Sequence, residues 1–360
     1  MEVLLVSEDL LIESHKGKYA VKFTSDWERT VNSYDLKTTK FIIDENISNL
    51  YQDELTSILS ERNHLLINAN EENKSLDKFP KYVQSLVDLG LKRGHTLVAI
   101  GGGITQDIAC FLATTMFRGL EWIFIPTTLL AQSDSCIGSK SSINSGNIKN
   151  ILGTFTPPKE IILDVTFLNT LEDKDIHSGI GEMIKVHAIN SVESFDKIND
   201  SYDEILLNKN TMESFIRNSL LFKKKLIEID EFDLGPRNVM NYGHSFGHAI
   251  ETATDYKIPH GIAITIGMDM ANYVSFVLGK TTEKHFSRMH SVLNKNSSLF
   301  RNTYINPELL LKALAKDKKN TSDQLRLILP NLEGEITIDL YDRSSVLEEA
   351  VHAYCAEYHN

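Results

Sequence analysis

Cysteine is scarce: Cys110, Cys136 and Cys355 are the only 3 in 360 residues, far apart and without a CxxC pair. A disulfide framework and a thiolate zinc knot both need paired or closely spaced thiols, so both are excluded and the three read as buried or incidental. Positive charge is also short. With 37 Lys and Arg against 49 Asp and Glu, the net charge is -12, which excludes broad binding to nucleic acid or an anionic membrane, because those partners need a basic surface. Any anionic ligand must be gripped by a local convergence of cations. No uninterrupted apolar run approaches the roughly 18 residues needed to cross a bilayer. The opening MEVLLVSEDLLIESHKG lacks a basic segment followed by an apolar one, so a cytoplasmic protein is the expectation. There is no internal repeat, low-complexity tract or long linker.

What is present is an ordinary composition, 42% hydrophobic and 24% charged over 360 residues, enough for two domains each with a core. In the first half KFIID (40–44), HLLIN (64–68), TLVAI (96–100) and EWIFI (121–125) alternate with segments of helical periodicity. That alternation predicts a doubly wound α/β domain over residues 1–175. Beyond it the β-signals nearly vanish, and 209–230, 241–253, 262–278 and 306–316 carry helical spacing, so 176–360 is expected to be a helical domain. A single late strand, QLRLILP (324–330), and a final helix near 344–357 complete the expectation.

Three of the 12 histidines, His244, His248 and His260, fall in NYGHSFGHAIE and IPHGIAI. On a helix His244 and His248 lie one turn apart, close enough for both rings to reach one ion or one substrate. The pair alone suits the polar stripe of an amphipathic helix equally well; the third histidine favours a metal centre. TLVAI runs into Gly101, Gly102 and Gly103 and then into the helix-like ITQDIACFLATT. A glycine turn at a helix N-terminus lets the backbone approach a pyrophosphate, though a tight strand-to-helix turn also needs glycine on steric grounds. Asp44, after an early strand, could bind an adenosine ribose or simply cap a turn. The small and polar segment 125–155 holds Asp134, Lys140, Lys149 and Asn150. Singly, such lysines are solvated surface.

The run GGGITQD, FRG, PTTLLAQSDS, IGSK, IKNILGTF, GEMIK, RNVMNYGHSFGHAIE, PHG and DKK resembles the 3-dehydroquinate synthase family, in that order and at compatible spacings, over about residues 40–330. The resemblance implies a dehydroquinate synthase-like fold, an α/β N-terminal NAD-binding domain plus an all-α C-terminal domain, in a homodimer. It implies metal ligands Glu182, His244 and His260 holding zinc or cobalt, the open His2Glu arrangement. His248 is then not a ligand but faces the substrate's phosphate. For NAD it points to Asp44, Asn46, Glu71, Lys74, Gly102, Gly103, Ile104 and Asp107, with Thr127, Thr128, Asp134, Lys149, Phe167 and Thr170 along the remainder. For the substrate it points to Asp134, Lys140, Lys149, Asn150, Lys185, Lys223, Arg237, Asn241 and His248, to Lys318 or Lys319, and to Arg118 from the neighbouring subunit. Lys140, Glu182, Lys185, Lys223, Arg237, Asn241 and His248 carry the catalytic expectation. The implied substrate, 3-deoxy-arabino-heptulosonate 7-phosphate, is a seven-carbon sugar acid phosphate with about three negative charges, which an acidic chain must counter locally. The implied reaction runs through transient oxidation by NAD, β-elimination of phosphate, re-reduction and aldol closure to 3-dehydroquinate.

Three departures from the family pattern stand out: Ile262 in HGIAI where Glu is usual, GSKSS around Lys140, and Thr105 and Gln106 after the glycine turn. The first predicts a change beside the metal. Two enzymes compete as readings. A sister cyclase acting on sedoheptulose 7-phosphate has no carboxylate to bind, so Lys223 and Arg237 argue against it. An NAD-dependent polyol dehydrogenase would release NADH and would not need the lysine-rich loop. A catalytically silent relative would not need three metal ligands.

Overall fold

The computed structural model describes residues 9–146, 148–316 and 324–359. They divide into two units: residues up to Leu171 together with Lys223–Phe232, and Glu172–Phe222 together with the chain from Asp233 onward. Residues 172–175, expected in the first domain, thus lie in the second unit, and 223–232, expected in the second, lie in the first.

The first unit contains β1 (Leu10–Ile12), β2 (Tyr19–Phe23), β3 (Thr39–Asp44), β4 (His64–Ile67), β5 (Thr96–Gly101), β6 (Glu121–Pro126), β7 (Ile143–Ser145), β8 (Ile148–Leu152) and β9 (Glu160–Leu163). Seven form one sheet in the order β1-β2-β9-β6-β5-β3-β4, parallel except where β1 meets β2, while β7 and β8 make a separate hairpin. The central strands are apolar on both faces, with Val98, Ala99, Ile100, Phe41, Ile42 and Ile43 all fully buried, the mark of parallel strands covered on two sides. Strands β3, β5 and β6 run in register, Ile43 against Ile100 and Gly101 against Pro126. Asp44, the glycine turn and Thr127 therefore leave the sheet together at the carboxyl end, where open α/β sheets bind ligands. From the glycine turn the chain enters α1 (Gly103–Thr115).

The second unit is built on α2 (Asp173–Asn190), the start of α3 (Lys209–Ile229), α4 (His244–Ala253), α5 (His260–Val277), α6 (Glu283–Asn296) and α7 (Ser345–Tyr358). Helix α5 is buried on every side from Gly261 to Asn272, so it forms the centre and α2, α4, α6 and α7 pack around it. Buried Asp269 on α5 accepts from Tyr354 on α7 at 2.7 Å and pairs with His290 on α6 at 2.8 Å. Glycines set the tightest crossings. A Cβ on Gly261 would stand 1.9 Å from the Ser178 carbonyl, one on Gly181 2.3 Å from the Gly261 carbonyl, and one on Gly267 2.2 Å from the Gly243 carbonyl.

The late strand β10 (Gln324–Pro330) is not single. It pairs antiparallel with β11 (Ile336–Asp342), from Gln324 against Asp342 to Pro330 against Ile336. Strand β11 has no buried residue, although Ile336, Ile338 and Leu340 alternate with Thr337, Asp339 and Tyr341 in the period of a half-buried strand.

Candidate metal and cofactor sites

Three helices of the second unit bring the predicted ligands together. Glu182 lies on α2, His244 opens α4 and His260 opens α5. Glu182 Oε1 stands 3.8 Å from His244 Nε2 and 3.5 Å from His260 Nε2. Each ring is held by its other nitrogen, His244 Nδ1 3.2 Å from the Tyr242 carbonyl and His260 Nδ1 3.3 Å from Glu251 Oε1. With Nδ1 engaged, Nε2 is the nitrogen of each ring that faces the Glu182 oxygen, the atom that would ligate a metal once any proton there is displaced. Lys185, one turn along α2, places its Nζ 2.5 Å from Glu182 Oε2. Both side chains are almost wholly buried, 2% and 3% exposed. A buried ion pair is a costly way to build a core, so its presence points to function.

The electrostatics fit a cation. Burial opposes the Glu182 charge, but Lys185, the His260 contact and His244 outweigh it and hold the carboxyl well below the usual carboxylate range. Burial drives His244 well below the ordinary imidazole value against the pull of Glu182. On His260 burial again disfavours the charged ring, yet Glu182 and Glu251 raise it to about 10. Two carboxylates flanking one ring attract positive charge strongly, and a divalent ion satisfies that demand as a proton does. The chemistry of the donor set, one carboxylate and two imidazoles, is that of an open catalytic zinc site. The ligating nitrogens of His244, His248 and His260 also lie within 4.8 Å of one another. Geometry alone therefore offers two three-donor sets that share His244 and His260. Arg237, buried, and Asn241, part-buried, belong to the 3-10 turn Pro236–Asn241 that precedes α4.

In the first unit the glycine turn has the tightness expected. Gly102 caps α1, and a Cβ there would come 2.9 Å from Thr128 Cγ2, whereas one on Gly103 would meet nothing nearer than 3.7 Å. Ile104 and Asp107 follow in the first turns of the helix, and Thr127 donates its N–H to the Gly101 carbonyl at 3.0 Å. Asp44 caps the next helix by accepting from the Asn46 N–H at 2.9 Å. Glu71, Lys74, Asp107 and Asn150 form one network. Lys74 Nζ reaches Asp107 Oδ2 at 3.1 Å, Asn150 Oδ1 at 3.0 Å and Glu71 Oε1 at 3.5 Å. Burial raises the Asp107 carboxyl to about 6 even though Lys74 and the Ser142 N–H oppose it. Lys149 and Asn150 are exposed on β8, and Lys140 is exposed in the loop before β7.

Asp134 and Lys223, both predicted, are paired here: Lys223 Nζ lies 2.6 Å from Asp134 Oδ1 and donates to the Asp134 carbonyl at 2.5 Å. The departure at Gln106 acquires a reason. Its Nε2 donates to the Ser135 carbonyl at 2.7 Å and its Oε1 accepts from the Ser135 hydroxyl at 2.8 Å, which ties α1 to the π-helical turn Ala131–Ser135 that carries Asp134.

Phe167 is fully buried, its ring tilted 4.6 Å from that of Trp27 and edge-on 5.2 Å from that of Tyr51, so its side chain is part of the core. Thr170 is exposed, 3.2 Å from the Tyr51 hydroxyl. Arg118 is exposed in a left-handed turn with φ +68°. Lys318 and Lys319 lie outside the described residues. Two contributors went unread in the sequence. Asn144 binds Glu71 and receives the Asn150 N–H at 2.8 Å, and Glu251 holds His260.

Similarity to known proteins follows the same division. The family model described as 3-dehydroquinate synthase N-terminal matches residues 64–178, and 3-dehydroquinate synthase C-terminal matches 179–320. A 3-dehydroquinate synthase of Thermoanaerobacter sp. (strain X514) is 35% identical over 306 residues, 83% of this chain and 86% of its own length. In fold the chain resembles a 2-deoxy-scyllo-inosose synthase solved with carbaglucose-6-phosphate, NAD+ and Co2+, with a TM-score of 0.82 at 22% identity over 96% of this chain and 100% of that one. It also resembles a 2-epi-5-epi-valiolone synthase from Streptomyces hygroscopicus solved with NAD+ and Zn2+, with a TM-score of 0.80 at 23% identity over 99% of each chain. Among the described residues no helix is long and apolar enough to cross a membrane.

Proposed function

Because the chain belongs to the 3-dehydroquinate synthase family, we propose that it converts 3-deoxy-arabino-heptulosonate 7-phosphate to 3-dehydroquinate and phosphate. The observation that carries the reading is the convergence of the Glu182 carboxylate with the Nε2 atoms of His244 and His260, at 3.8 and 3.5 Å. Glu182, His244 and His260 would hold the divalent cation; the glycine turn at the start of α1, with Asp107 and Thr127, would receive the dinucleotide. When bound, the cation supplies Lewis acidity and NAD supplies a hydride acceptor that is restored within the turnover.

The chain's own residues do the rest. Lys185, buried against Glu182, keeps that carboxylate ionised and offers a second cation to an anionic substrate. Lys140, Lys149, Lys223, Arg237 and His248 would supply the positive groups that a sugar acid phosphate needs on a chain of net charge -12. Lys223, held by Asp134 at 2.6 Å, is fixed in position to meet the substrate carboxylate. Elimination and closure then depend on holding conformers and screening charge. Arg118, exposed at its turn, would serve a neighbouring copy in a homodimer.

The test is to incubate the protein with NAD, zinc or cobalt, and each candidate in turn: the seven-carbon acid phosphate, sedoheptulose 7-phosphate and a simple polyol. Phosphate release from the acid with no lasting NADH absorbance is the expected result. Release from sedoheptulose 7-phosphate alone, or stoichiometric NADH from the polyol, overturns it. Lys223→Ala is expected to lower kcat/KM for the acid by about 10²-fold or more, since truncating one member of a buried charge pair costs roughly 2–5 kcal/mol. An unchanged value removes Lys223 from the carboxylate site.

A further inference from the structure

Helix α4 places His244, His248 and Glu251 at positions i, i+4 and i+7, on one face. Glu251 is mostly buried, 14% exposed, and its Oε1 lies 3.3 Å from His260 Nδ1, while the opposite nitrogen of that ring lies 3.5 Å from Glu182 Oε1. The two ring nitrogens are thus committed to two different carboxylates from two different helices. His244 is anchored differently, by the neutral Tyr242 carbonyl at 3.2 Å. Ile262, two residues beyond His260, is fully buried and apolar, so it offers His260 no hydrogen bond.

We propose that Glu251 is a positioning residue for the metal centre, holding the His260 ring through Nδ1–H so that Nε2 is presented to the cation. The inference rests on the metal reading above and extends it to a residue outside the ligand set. A carboxylate acceptor fixes the tautomer, stops the ring from rotating about its own axis and makes the ligating nitrogen more basic. A neutral acceptor does the first two and less of the third.

The test uses metal-stripped protein titrated with zinc against a chromophoric chelator. Glu251→Ala is expected to weaken zinc affinity by about 10- to 100-fold. Glu251→Gln, whose amide oxygen can still accept from Nδ1–H, is expected to recover most of that loss. Glu251→Asp keeps the charge but shortens the reach, and is expected to lose affinity nearly as far as Ala. Cobalt-loaded Glu251→Ala should show altered visible absorption, which a purely helix-stabilising residue would not cause. Wild-type affinity in both Ala and Asp overturns the proposal, as does lost thermal stability with unaltered affinity. Should Ala fail to fold, the Gln and Asp pair decides between the same outcomes. A wild-type protein that binds no zinc overturns the metal reading, and Glu251 falls with it.

Discussion

Glu182→Gln should abolish turnover while leaving the protein folded enough to bind NAD. The amide matches the carboxylate in shape but cannot counter a cation, and it leaves Lys185 with a neutral partner at a site where both side chains are only 2–3% exposed. It also removes the charge that both Nε2 atoms face. Zinc affinity is expected to fall by at least about 10³-fold, the equivalent of roughly 4 kcal/mol, and kcat/KM by at least as much. Chelator competition and the phosphate-release assay measure the two. Retention of wild-type zinc affinity by Glu182→Gln would remove Glu182 from the ligand set and leave the three histidines, whose nitrogens lie within 4.8 Å, as the alternative donors.

Gly261→Ala should produce a large loss of stability for a single added methyl group. The added carbon would stand 1.9 Å from the Ser178 carbonyl oxygen and 2.6 Å from its carbon, backbone atoms of α2 that cannot swing aside as a side chain can. Relief requires α2 and α5 to separate, and overpacking of this kind costs about 3 kcal/mol or more. His260 precedes this glycine, so zinc affinity should fall too. Gly103→Ala serves as the control, because its nearest neighbour would be the Ser135 hydroxyl at 3.7 Å. Its denaturation midpoint should stay within about 0.5 kcal/mol of wild type. Equal stability of the two variants would refute the claim that α2 and α5 meet backbone to backbone.

Much of the fold is legible in the sequence where burial imposes a period. Strands β3, β5 and β6 are read directly because parallel strands covered on both faces become continuous apolar runs. Strand β1 is missed because it spans only three residues at the sheet edge, whereas β11 is missed even though ITIDL alternates apolar and polar residues. The same physics divides the site. His244 and His260 announce themselves by residue type, and Glu182 by its motif. Glu251 is hidden because a glutamate on an amphipathic helix usually means a solvated face; only its i+7 offset from His244 hints otherwise. Gln106 is visible as an oddity whose purpose needs Ser135, 29 residues away in sequence, to become clear. The side chain of Phe167 lies among Trp27 and Tyr51, a packing that its place in the sequence does not announce.

Each residue proposed to grip the cation has a glycine as its chain neighbour: Gly181 before Glu182, Gly243 before His244, Gly261 after His260. Those glycines are where main chain rests on main chain, or nearly so. The spacing of the donors is consequently dictated by peptide planes in contact, which have far fewer ways to yield than interlocked side chains. Such a cradle is finished by the folding of the helices themselves, so an ion bound there would enter as a reagent for chemistry and not as a rivet for the architecture.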